Sequence, residues 1–229
     1  MKKILSFLCL CLLCISCVDE IQRPIASGTP EENNSENLLI ANLPVHIDST
    51  NYLIHPVGQI EVRERGYFGS SSGSSGSTSV GDEIYGNFTN LRFQELNSEE
   101  FTGLTDQDVR ILSVEFLREI FDNTGKQLLL YKIVDIDTNA DGKLNSNDHT
   151  ALYISGINGS DLRKISPADQ VLQEYNVLQA MNRLYFRSTE DRNANDRFDP
   201  GGKPYYFYVD LASEALKVTE YFPLENRKK

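Results

Sequence analysis

Twelve residues in the middle of the chain carry the clearest chemistry in the sequence. In the segment DTNADGKLNSND, residues 137–148, oxygen-bearing side chains alternate with other residues and a glycine follows the third of them. Calcium takes roughly six to eight oxygen ligands, which a twelve-residue loop supplies from positions 1, 3, 5, 7, 9 and 12, with glycine at position 6 for the turn. The segment predicts a calcium site formed by Asp137, Asn139, Asp141, the main-chain carbonyl of Lys143, Asn145 and Asp148.

This segment resembles the calcium loop of EF-hand and dockerin modules. Gly142 stands at position 6 and the apolar Leu144 at position 8, as in those loops. Position 12 departs from the EF-hand pattern, because Asp148 replaces the usual glutamate. The resemblance implies bound calcium, and the shorter carboxylate implies weaker or one-oxygen ligation at that position.

The segments on either side of the loop decide which elements position it. Residues 127–134 and 150–155 are rich in leucine, tyrosine and β-branched residues, and neither shows a capping box or a long 3.6-residue period. We therefore expect the loop to join two strands rather than two helices. In this respect it resembles the β-hairpin calcium loops of some propeller blades, whose pattern ends at position 9. That resemblance makes Asn145 the more important ligand and Asp148 an accessory one.

A second copy of the region follows further along the chain. Its positions 1, 3, 5, 7 and 9 are Asp191, Asn193, Asn195, Arg197 and Asp199. Asp196 replaces the glycine, which is damaging for an EF-hand but tolerable in a β-hairpin loop, because aspartate adopts positive φ better than most residues. The sequence predicts a second, weaker calcium loop. The alternative for both loops is a turn rich in aspartate and asparagine that holds no ion.

Another repeated pattern predicts the fold. Residues 91–105, 152–166 and 206–220 each contain a strand, a turn of small polar residues and a second strand, and they resemble the outer hairpin of TolB-type propeller repeats. We expect an all-β protein with three consecutive antiparallel, propeller-blade-like sheets and calcium loops between strands. The three units are residues 38–105, 106–167 and 168–221. Short helical turns are expected within residues 98–106 and 166–175.

The closure of such a repeat is left open by the sequence. Three blades are fewer than the usual minimum of about four. An open or distorted propeller, a sandwich-like stack and an assembly completed by another subunit are the alternatives. Residues 38–229 are expected to form one domain, interrupted by a disordered, serine- and glycine-rich loop at residues 66–81.

The first residues predict export and a lipid anchor. Lys2 and Lys3 precede an apolar run that is too short to span a bilayer, so residues 1–16 are expected to be a signal peptide. The sequence from Cys14 to Cys17 resembles the bacterial lipobox, which implies acylation of Cys17; an ordinary cleaved signal is the alternative. Residues 17–37 then comprise the lipidated cysteine and a flexible acidic tether.

Composition limits the partners. The 33 acidic residues outnumber the 22 basic ones, and the pI is near 4.8, so nucleic acid is not an expected partner. All four cysteines lie at or before Cys17, so the exported domain is not expected to rely on disulfides.

Catalysis is not predicted. His46, His55 and His149 are widely spaced, and no serine, cysteine or threonine stands in a nucleophile motif. Residues 205–208, YYFY, could form a carbohydrate-stacking platform, but residues in a strand alternate between faces, which favours core packing.

The preferred interpretation is a non-enzymatic, calcium-binding lipoprotein of the bacterial outer membrane, facing the periplasm or the cell surface, with calcium stapling the hairpin loops. In this it resembles small calcium-loop lipoproteins of the Bacteroidota. The alternatives are a cell-surface recognition module that binds a glycan, peptide or partner protein, and an exported hydrolase.

Overall fold

The computed structural model describes residues 36–62, 77–190 and 202–224, and within them nearly all regular structure is β-strand. One α-helix, α1 (Arg118–Thr124), and a 3₁₀ turn at Gln179–Met181 are the exceptions in that part of the chain. The strands are β1 (Glu36–Ala41), β2 (Val45–His46), β3 (Tyr52–Val62), β4 (Thr78–Val80), β5 (Glu83–Phe88), β6 (Asn90–Glu95), β7 (Phe101–Gly103), β8 (Arg110–Phe116), β9 (Leu128–Val134), β10 (Ala151–Gly156), β11 (Arg163–Lys164), β12 (Gln170–Leu178), β13 (Arg183–Glu190), β14 (Pro204–Asp210) and β15 (Val218–Tyr221).

The strands form three antiparallel sheets. The first has the order β1-β3-β6-β7, with β2 also paired to β3. The second has the order β11-β10-β9-β8-β5-β4, and the third is a simple meander, β12-β13-β14-β15. The predicted all-β class with antiparallel sheets is confirmed.

The three predicted hairpins are present, and each lies at an edge of its sheet. β6 pairs with β7, β10 with β11, and β14 with β15, all antiparallel. The outer strand of each hairpin is the last strand of its sheet. The repeated sequence pattern therefore marks the same structural position three times.

Three details differ from the sequence-based expectation. Strands β4 and β5 precede residue 105 in the chain but belong to the second sheet, because β5 pairs with β8. Residues 78–80 fall inside the segment expected to be disordered, yet they form β4, since pairing with β5 satisfies their backbone groups. The helical turns expected within 98–106 and 166–175 are wrong, because β7 lies in the first range and β12 begins in the second.

The second sheet lies between two apolar cores. On one side, side chains of β9 pack with those of the first sheet, in a cluster that includes Leu129, Tyr131, Ile133, Ile54 and Phe93. On the other side they pack with the third sheet, in a cluster that includes Leu128, Leu130, Leu184, Phe186 and Phe207. Successive side chains of a strand point to opposite faces, so β9 fills both cores, which explains its nearly continuous apolar sequence.

The third sheet has a different burial pattern. Phe186 and Phe207 point into the core and stack with ring centroids 5.0 Å apart and an interplanar angle of 21°. Their neighbours Tyr185, Tyr206 and Tyr208 lie on the opposite face and are half-buried. The alternation expected for residues 205–208 is therefore present, and it turns two of the three tyrosines away from the core.

Residues 1–35, which include the predicted signal peptide, Cys17 and most of the tether, lie outside the described residues, as do residues 63–76, which include the first part of the serine- and glycine-rich segment. In the described part of the chain, no helix combines the length and apolar character needed to cross a membrane.

Candidate metal centre

The loop of residues 137–148 connects β9 and β10. These strands pair in a continuous antiparallel register from Ala151 opposite Ile133 to Gly156 opposite Leu128. The loop is therefore held by a strand on each side, as the apolar flanks predicted. Both strands are buried in the second sheet, which lies between the other two. The two ends of the loop are therefore fixed in position.

A polar cluster ties the strands together at the base of the loop. The carboxylate of Asp135, directly after β9, accepts a hydrogen bond from the Tyr153 hydroxyl at 2.7 Å and one from the Lys164 ammonium at 2.6 Å. Burial, together with the neighbouring Asp135 carboxylate, raises the pKa of the Tyr153 hydroxyl well above its ordinary value. The hydroxyl thus remains a donor, and Asp135 links β9, β10 and β11.

Asp148 is the buried acceptor of the loop, with 5% of its surface exposed. Its Oδ1 accepts hydrogen bonds from the Thr138 N–H at 2.9 Å, the Thr138 hydroxyl at 3.3 Å and the Asn139 N–H at 3.4 Å. Its Oδ2 accepts one from the Asn145 N–H at 2.9 Å. Asp148 therefore joins the beginning of the loop to its second half.

These donors decide the ionisation of Asp148. Burial alone raises the pKa of a carboxyl group, because it disfavours the charged form. At Asp148 the backbone N–H groups of Asn145, Thr138 and Asn139 and the Thr138 hydroxyl outweigh that effect, so the pKa of Asp148 lies below its ordinary value. The side chain is a carboxylate that the loop backbone surrounds.

The first half of the loop lies nearer the surface, and its side chains fold onto its own backbone. The Asp137 carboxylate accepts the N–H of Gly142 at 2.7 Å and that of Asp141 at 3.2 Å. Asn139 Oδ1 accepts the Asp141 N–H at 2.9 Å, and Asp141 Oδ1 accepts the Lys143 N–H at 2.9 Å. Oxygens from three predicted ligands therefore gather around one turn.

The backbone of this turn requires a glycine. Gly142 has φ of +78°, in the left-handed region that side chains with a Cβ rarely adopt. A Cβ added at this position would meet no atom within 4 Å, so space is not the constraint. The glycine is needed for the backbone conformation, which is the role that position 6 predicted.

The oxygen set fits a hard cation. A hydrogen-bonded carboxylate or amide oxygen keeps a second lone pair, so Asp137, Asn139 and Asp141 retain acceptor capacity. Asp141 Oδ2 accepts the Asn145 side-chain amide at a long 3.3 Å, and the Lys143 carbonyl accepts that amide at 3.4 Å. Carboxylate, amide and main-chain oxygens are the ligands that calcium prefers. Asp148 fits less well, because four donors already occupy its oxygens.

The predicted calcium site is not a cluster of ionisable side chains. Within the described residues, no three histidine, cysteine, aspartate or glutamate side chains come together as a metal-binding group. The predicted set also uses Asn139, Asn145 and a main-chain carbonyl, and these belong to none of those four residue types. The loop is defined by its spacing and by its glycine rather than by a cluster of acids.

Two residues outside the predicted ligand set position the loop. Thr138 donates two of the four hydrogen bonds to Asp148, and its Oγ1 also accepts the His149 N–H at 3.1 Å. Asp135 holds the base. The signal for Asp135 was present in the sequence, since it is an acidic residue directly after an apolar strand, whereas nothing in the pattern distinguished Thr138.

The second predicted loop, with Asp191, Asn193, Asn195, Arg197 and Asp199, lies outside the described residues. The strands that flank it, β13 and β14, are described and pair antiparallel from Thr189 opposite Pro204 to Arg183 opposite Asp210. The second loop therefore also connects two neighbouring strands of one sheet.

No protein-family model matches this chain, and no curated protein matches it. Its function must therefore be inferred from the chemistry of its own residues.

Proposed function

We propose that this chain is a lipid-anchored, calcium-binding protein of the bacterial outer membrane, in which calcium staples the β9–β10 loop and no reaction is catalysed. The observation that carries the proposal is the gathering of side-chain oxygens from Asp137, Asn139 and Asp141 around the turn at Gly142. The ligands would be these three side chains, the Lys143 carbonyl and Asn145.

Electrostatics gives the ion a structural role. The Asp137 carboxylate accepts the N–H of Asp141, so two carboxylates share one short turn near the surface. Like charges in one turn repel, and a divalent cation removes that repulsion while linking residues across the loop. Because the ligands come together only in the folded hairpin, binding adds to the stability of the folded state.

The brace formed by Asp148 supports this proposal in a second way. It accepts hydrogen bonds from the backbone N–H groups of Thr138, Asn139 and Asn145, which fixes the loop and leaves the side-chain oxygens of Asn139 and Asn145 available as ligands. The site is thereby organised in advance, and binding has little conformational entropy to overcome. Affinity in the range of extracellular calcium modules, with Kd of about 10⁻⁴ to 10⁻³ M, suits a permanent staple rather than a signal.

Thermal unfolding tests the calcium site. The protein of residues 18–229, which contains the compact unit Asn34–Lys229, would be melted in EDTA and in increasing calcium. Calcium at ten times its Kd is expected to add about 1.4 kcal/mol to the free energy of unfolding, since the gain equals RT ln(1 + [L]/Kd). For a domain of this size that is a rise in Tm of roughly 3–6 °C.

The variants locate the effect. Asp137→Ala is expected to abolish most of the calcium-dependent rise in Tm, and Asp191→Ala reports on the second loop. Asn147→Ala is the matched control, because this exposed residue of the same loop contributes its backbone N–H to Asn145. A Tm that does not respond to calcium would show that the loop is only a turn.

The proposed location at the outer membrane depends on a lipid anchor, which is inferred from the sequence from Cys14 to Cys17. Incorporation of labelled palmitate in a Gram-negative host is expected for the wild-type chain and for Cys14→Ala, and is expected to be lost in Cys17→Ala. Accessibility of the anchored protein to an added protease in intact cells distinguishes the cell surface from the periplasm. Palmitate label in Cys17→Ala would contradict the assignment of Cys17 as the acylated residue, and its absence from the wild type would contradict the lipid anchor itself.

The non-enzymatic part of the proposal is supported by the roles of two histidines. His46 Nε2 lies 3.0 Å from the Thr50 carbonyl oxygen, and His55 Nε2 lies 3.0 Å from Gln94 Oε1. The His55 ring also packs edge-on against Phe101, with centroids 5.1 Å apart. Both imidazoles are used in holding loops and strands of the first sheet.

The repeated hairpins support a finer proposal for the fold, an open three-bladed relative of the β-propeller. Each sheet ends in the same hairpin, and the second sheet packs on both of the others. In a repeat protein each unit buries its apolar faces against its neighbours.

A second candidate function is recognition of a glycan, peptide or protein. The observation that favours it is the row of tyrosines on the outward face of the third sheet. These tyrosines belong to the third sheet, whereas the β9–β10 loop belongs to the second.

A further inference from the structure

Four tyrosines form one surface on the third sheet, here called the tyrosine face: Tyr185, Tyr206, Tyr208 and Tyr221. Strand register brings them together, because Tyr185 pairs with Tyr208 across β13 and β14, and Tyr206 pairs with Tyr221 across β14 and β15. Cross-strand partners have their side chains on the same face of a sheet. The alternation of each strand then makes this the face opposite to the Phe186 and Phe207 core.

The rings form a notch rather than a flat layer. Tyr221 lies 5.5 Å from Tyr185, 5.9 Å from Tyr206 and 6.1 Å from Tyr208, measured between ring centroids. It stands edge-on to Tyr185, at an interplanar angle of 81°. A surface cavity of about 340 Å³ lies beside it, lined by residues that include Glu174, Asn176, Arg187 and Tyr206. That volume is at the lower end of small-molecule sites, which span roughly 300–1,000 Å³.

The polar groups of the tyrosine face offer both donors and acceptors. In the described part of the chain, the hydroxyls of Tyr206, Tyr208 and Tyr221 have no hydrogen-bond partner. The Asn176 amide and the Glu174 carboxylate, which pairs with Arg187 at 3.2 Å, line the same cavity. A ligand rich in hydroxyl groups, each able to donate and to accept, matches this set.

The charges of the tyrosine face balance, unlike those of the chain as a whole. Arg187 is opposite Glu174, and Arg183 is opposite Asp210 in the strand register. The Arg183 guanidinium also lies over the Tyr208 ring, 4.4 Å from its centroid. The whole chain carries a formal charge of −11. The acidic surface thus gives way here to a neutral, aromatic patch, which fits an uncharged partner better than an ionic one.

We propose that the tyrosine face binds a neutral oligosaccharide. The faces of aromatic rings carry partial negative charge, so they attract the weakly positive C–H groups on the flat side of a sugar ring. The free tyrosine hydroxyls, Asn176 and Glu174 supply the hydrogen bonds that a sugar needs at its edge. The proposal deepens the recognition function given above and is independent of the calcium site.

A proline-rich peptide fits the same surface less well. Polyproline segments dock between aromatic ridges and offer carbonyl acceptors without N–H donors at proline. Tyr221 packs edge-on against both Tyr185 and Tyr206, so the rings form one cluster rather than two parallel ridges. A proline residue also has no N–H to donate to the oxygens of the tyrosine hydroxyls. The directional polar groups therefore favour a sugar.

Titration calorimetry with defined probes tests the proposal. The protein of residues 18–229 would be titrated with neutral tetrasaccharides of β-glucan, xylan, mannan, galactan and chitin, and with a ten-residue proline peptide. At least one tetrasaccharide is expected to bind with Kd below about 1 mM. Each titration is run in EDTA and in calcium, and the sugar affinity is expected to be present in both.

Variants connect the binding to the tyrosine face. Tyr221→Ala and Tyr206→Ala are each expected to weaken binding at least about tenfold, because tyrosines in the centre of a site contribute most of the affinity. Tyr85→Ala is the matched control, since Tyr85 is a 41% exposed tyrosine on β5 of another sheet. It is expected to bind as the wild type does. Tyr206→Phe keeps the ring and removes the hydroxyl, so it separates stacking from hydrogen bonding.

Three results would overturn the proposal. They are the absence of binding by every tetrasaccharide, binding of the proline peptide in place of sugars, and an equal loss of affinity in Tyr85→Ala. None of them bears on calcium, which the Tm experiment tests separately.

Discussion

Two hairpins in this chain share a sequence pattern and differ in their surroundings. β9–β10 lies in the central sheet and contributes to both apolar cores, so Tyr131 is 0% exposed. β13–β14 lies in the third sheet. Its Tyr185 aligns with Tyr131, because the two copies are 54 residues apart, and it is half-buried on the tyrosine face. Related sequences can therefore take different roles, because the neighbouring sheets decide which faces are covered.

The strand register differs as well. Tyr131 pairs with Tyr153, whereas Tyr185 pairs with Tyr208 and not with Phe207, the residue that aligns with Tyr153. A shift of one residue moves every side chain of a strand to the opposite face. This shift places Phe207 in the core and leaves Tyr208 on the outer face.

The largest expected effect separates the two tyrosines directly. Tyr131→Ala removes a buried ring and the hydroxyl that lies 2.6 Å from Ser155 Oγ, and is expected to lower the free energy of unfolding by about 3–5 kcal/mol. Tyr185→Ala is expected to lower it by less than about 1 kcal/mol, since its ring lies at the surface. Urea unfolding monitored by circular dichroism measures both. Similar losses would refute the distinction between a covered and an open hairpin.

Much of this fold was predictable, because local patterns determine it. The apolar segments at residues 127–134 and 150–155 coincide with β9 and β10, one residue apart at the ends where they differ. In these segments the apolar and β-branched residues reflect burial in a sheet, which is a local property of the sequence. The hairpins were likewise visible from their turns.

The sheet membership of β5 was not predictable in the same way. Its partner, β8, lies beyond β6 and β7 in the chain, and nothing in the sequence of β5 identifies that non-local pairing. The open face of the third sheet was missed for a related reason. Alternation in residues 205–208 predicts two faces, but only the position of the whole sheet determines which of them is covered.

The candidate site shows the same limit at the level of one residue. Spacing placed Asp148 at position 12 of a calcium loop. The structure surrounds its oxygens with the donors of Thr138, Asn139 and Asn145, which the pattern could not show. Spacing identifies acceptors, whereas the folded backbone determines which donors they meet.

A smaller effect on stability distinguishes Asp148, which holds the loop backbone, from the proposed calcium ligand Asp137 in the same β9–β10 hairpin. In EDTA, Asp148→Ala is expected to lower the free energy of unfolding by about 2 kcal/mol, because it leaves backbone N–H groups of the loop without their acceptor. Asp137→Ala is expected to change it by less than about 1 kcal/mol under the same conditions, since its turn lies nearer the surface. Equal losses in EDTA would contradict the separate roles.

The pH dependence of the same variant has a defined sign. The pKa of Asp148 is lower in the folded protein than its ordinary value, so its contribution is present above the unfolded value of about 3.9. The contribution is lost as the pH falls through the lower, folded pKa. The stability difference between wild type and Asp148→Ala should therefore persist at pH 6 and shrink below about pH 4.

The smallest expected effect concerns the contact between the second and third sheets. Glu115 of β8 accepts a hydrogen bond at 3.0 Å from the hydroxyl of Tyr175 on β12, which links the second sheet to the third. Burial raises the pKa of the Glu115 carboxyl, and the carboxylates of Glu83 and Glu119 raise it further against the opposing effects of Tyr175 and Lys132. The charged form is therefore tolerated at this junction rather than favoured.

A raised pKa means that the folded protein holds this proton more tightly than the unfolded chain does. Ionisation of Glu115 thus lowers stability above the folded pKa and has no such effect below the unfolded value of about 4.3. Glu115→Gln keeps an acceptor for the Tyr175 hydroxyl and removes the charge. It is expected to stabilise the protein by up to about 1 kcal/mol at pH 7, since solvent screening limits the effect at a partly exposed site. Near pH 4 it is expected to have no effect on stability.

The midpoints of urea unfolding at the two pH values measure this effect. Tyr175→Phe removes the hydrogen-bond donor and leaves the carboxylate, so it should shift stability in the opposite direction. If Glu115→Gln were less stable than the wild type at pH 7, the negative charge of Glu115, and not only its hydrogen bond, would be stabilising the contact between the second and third sheets.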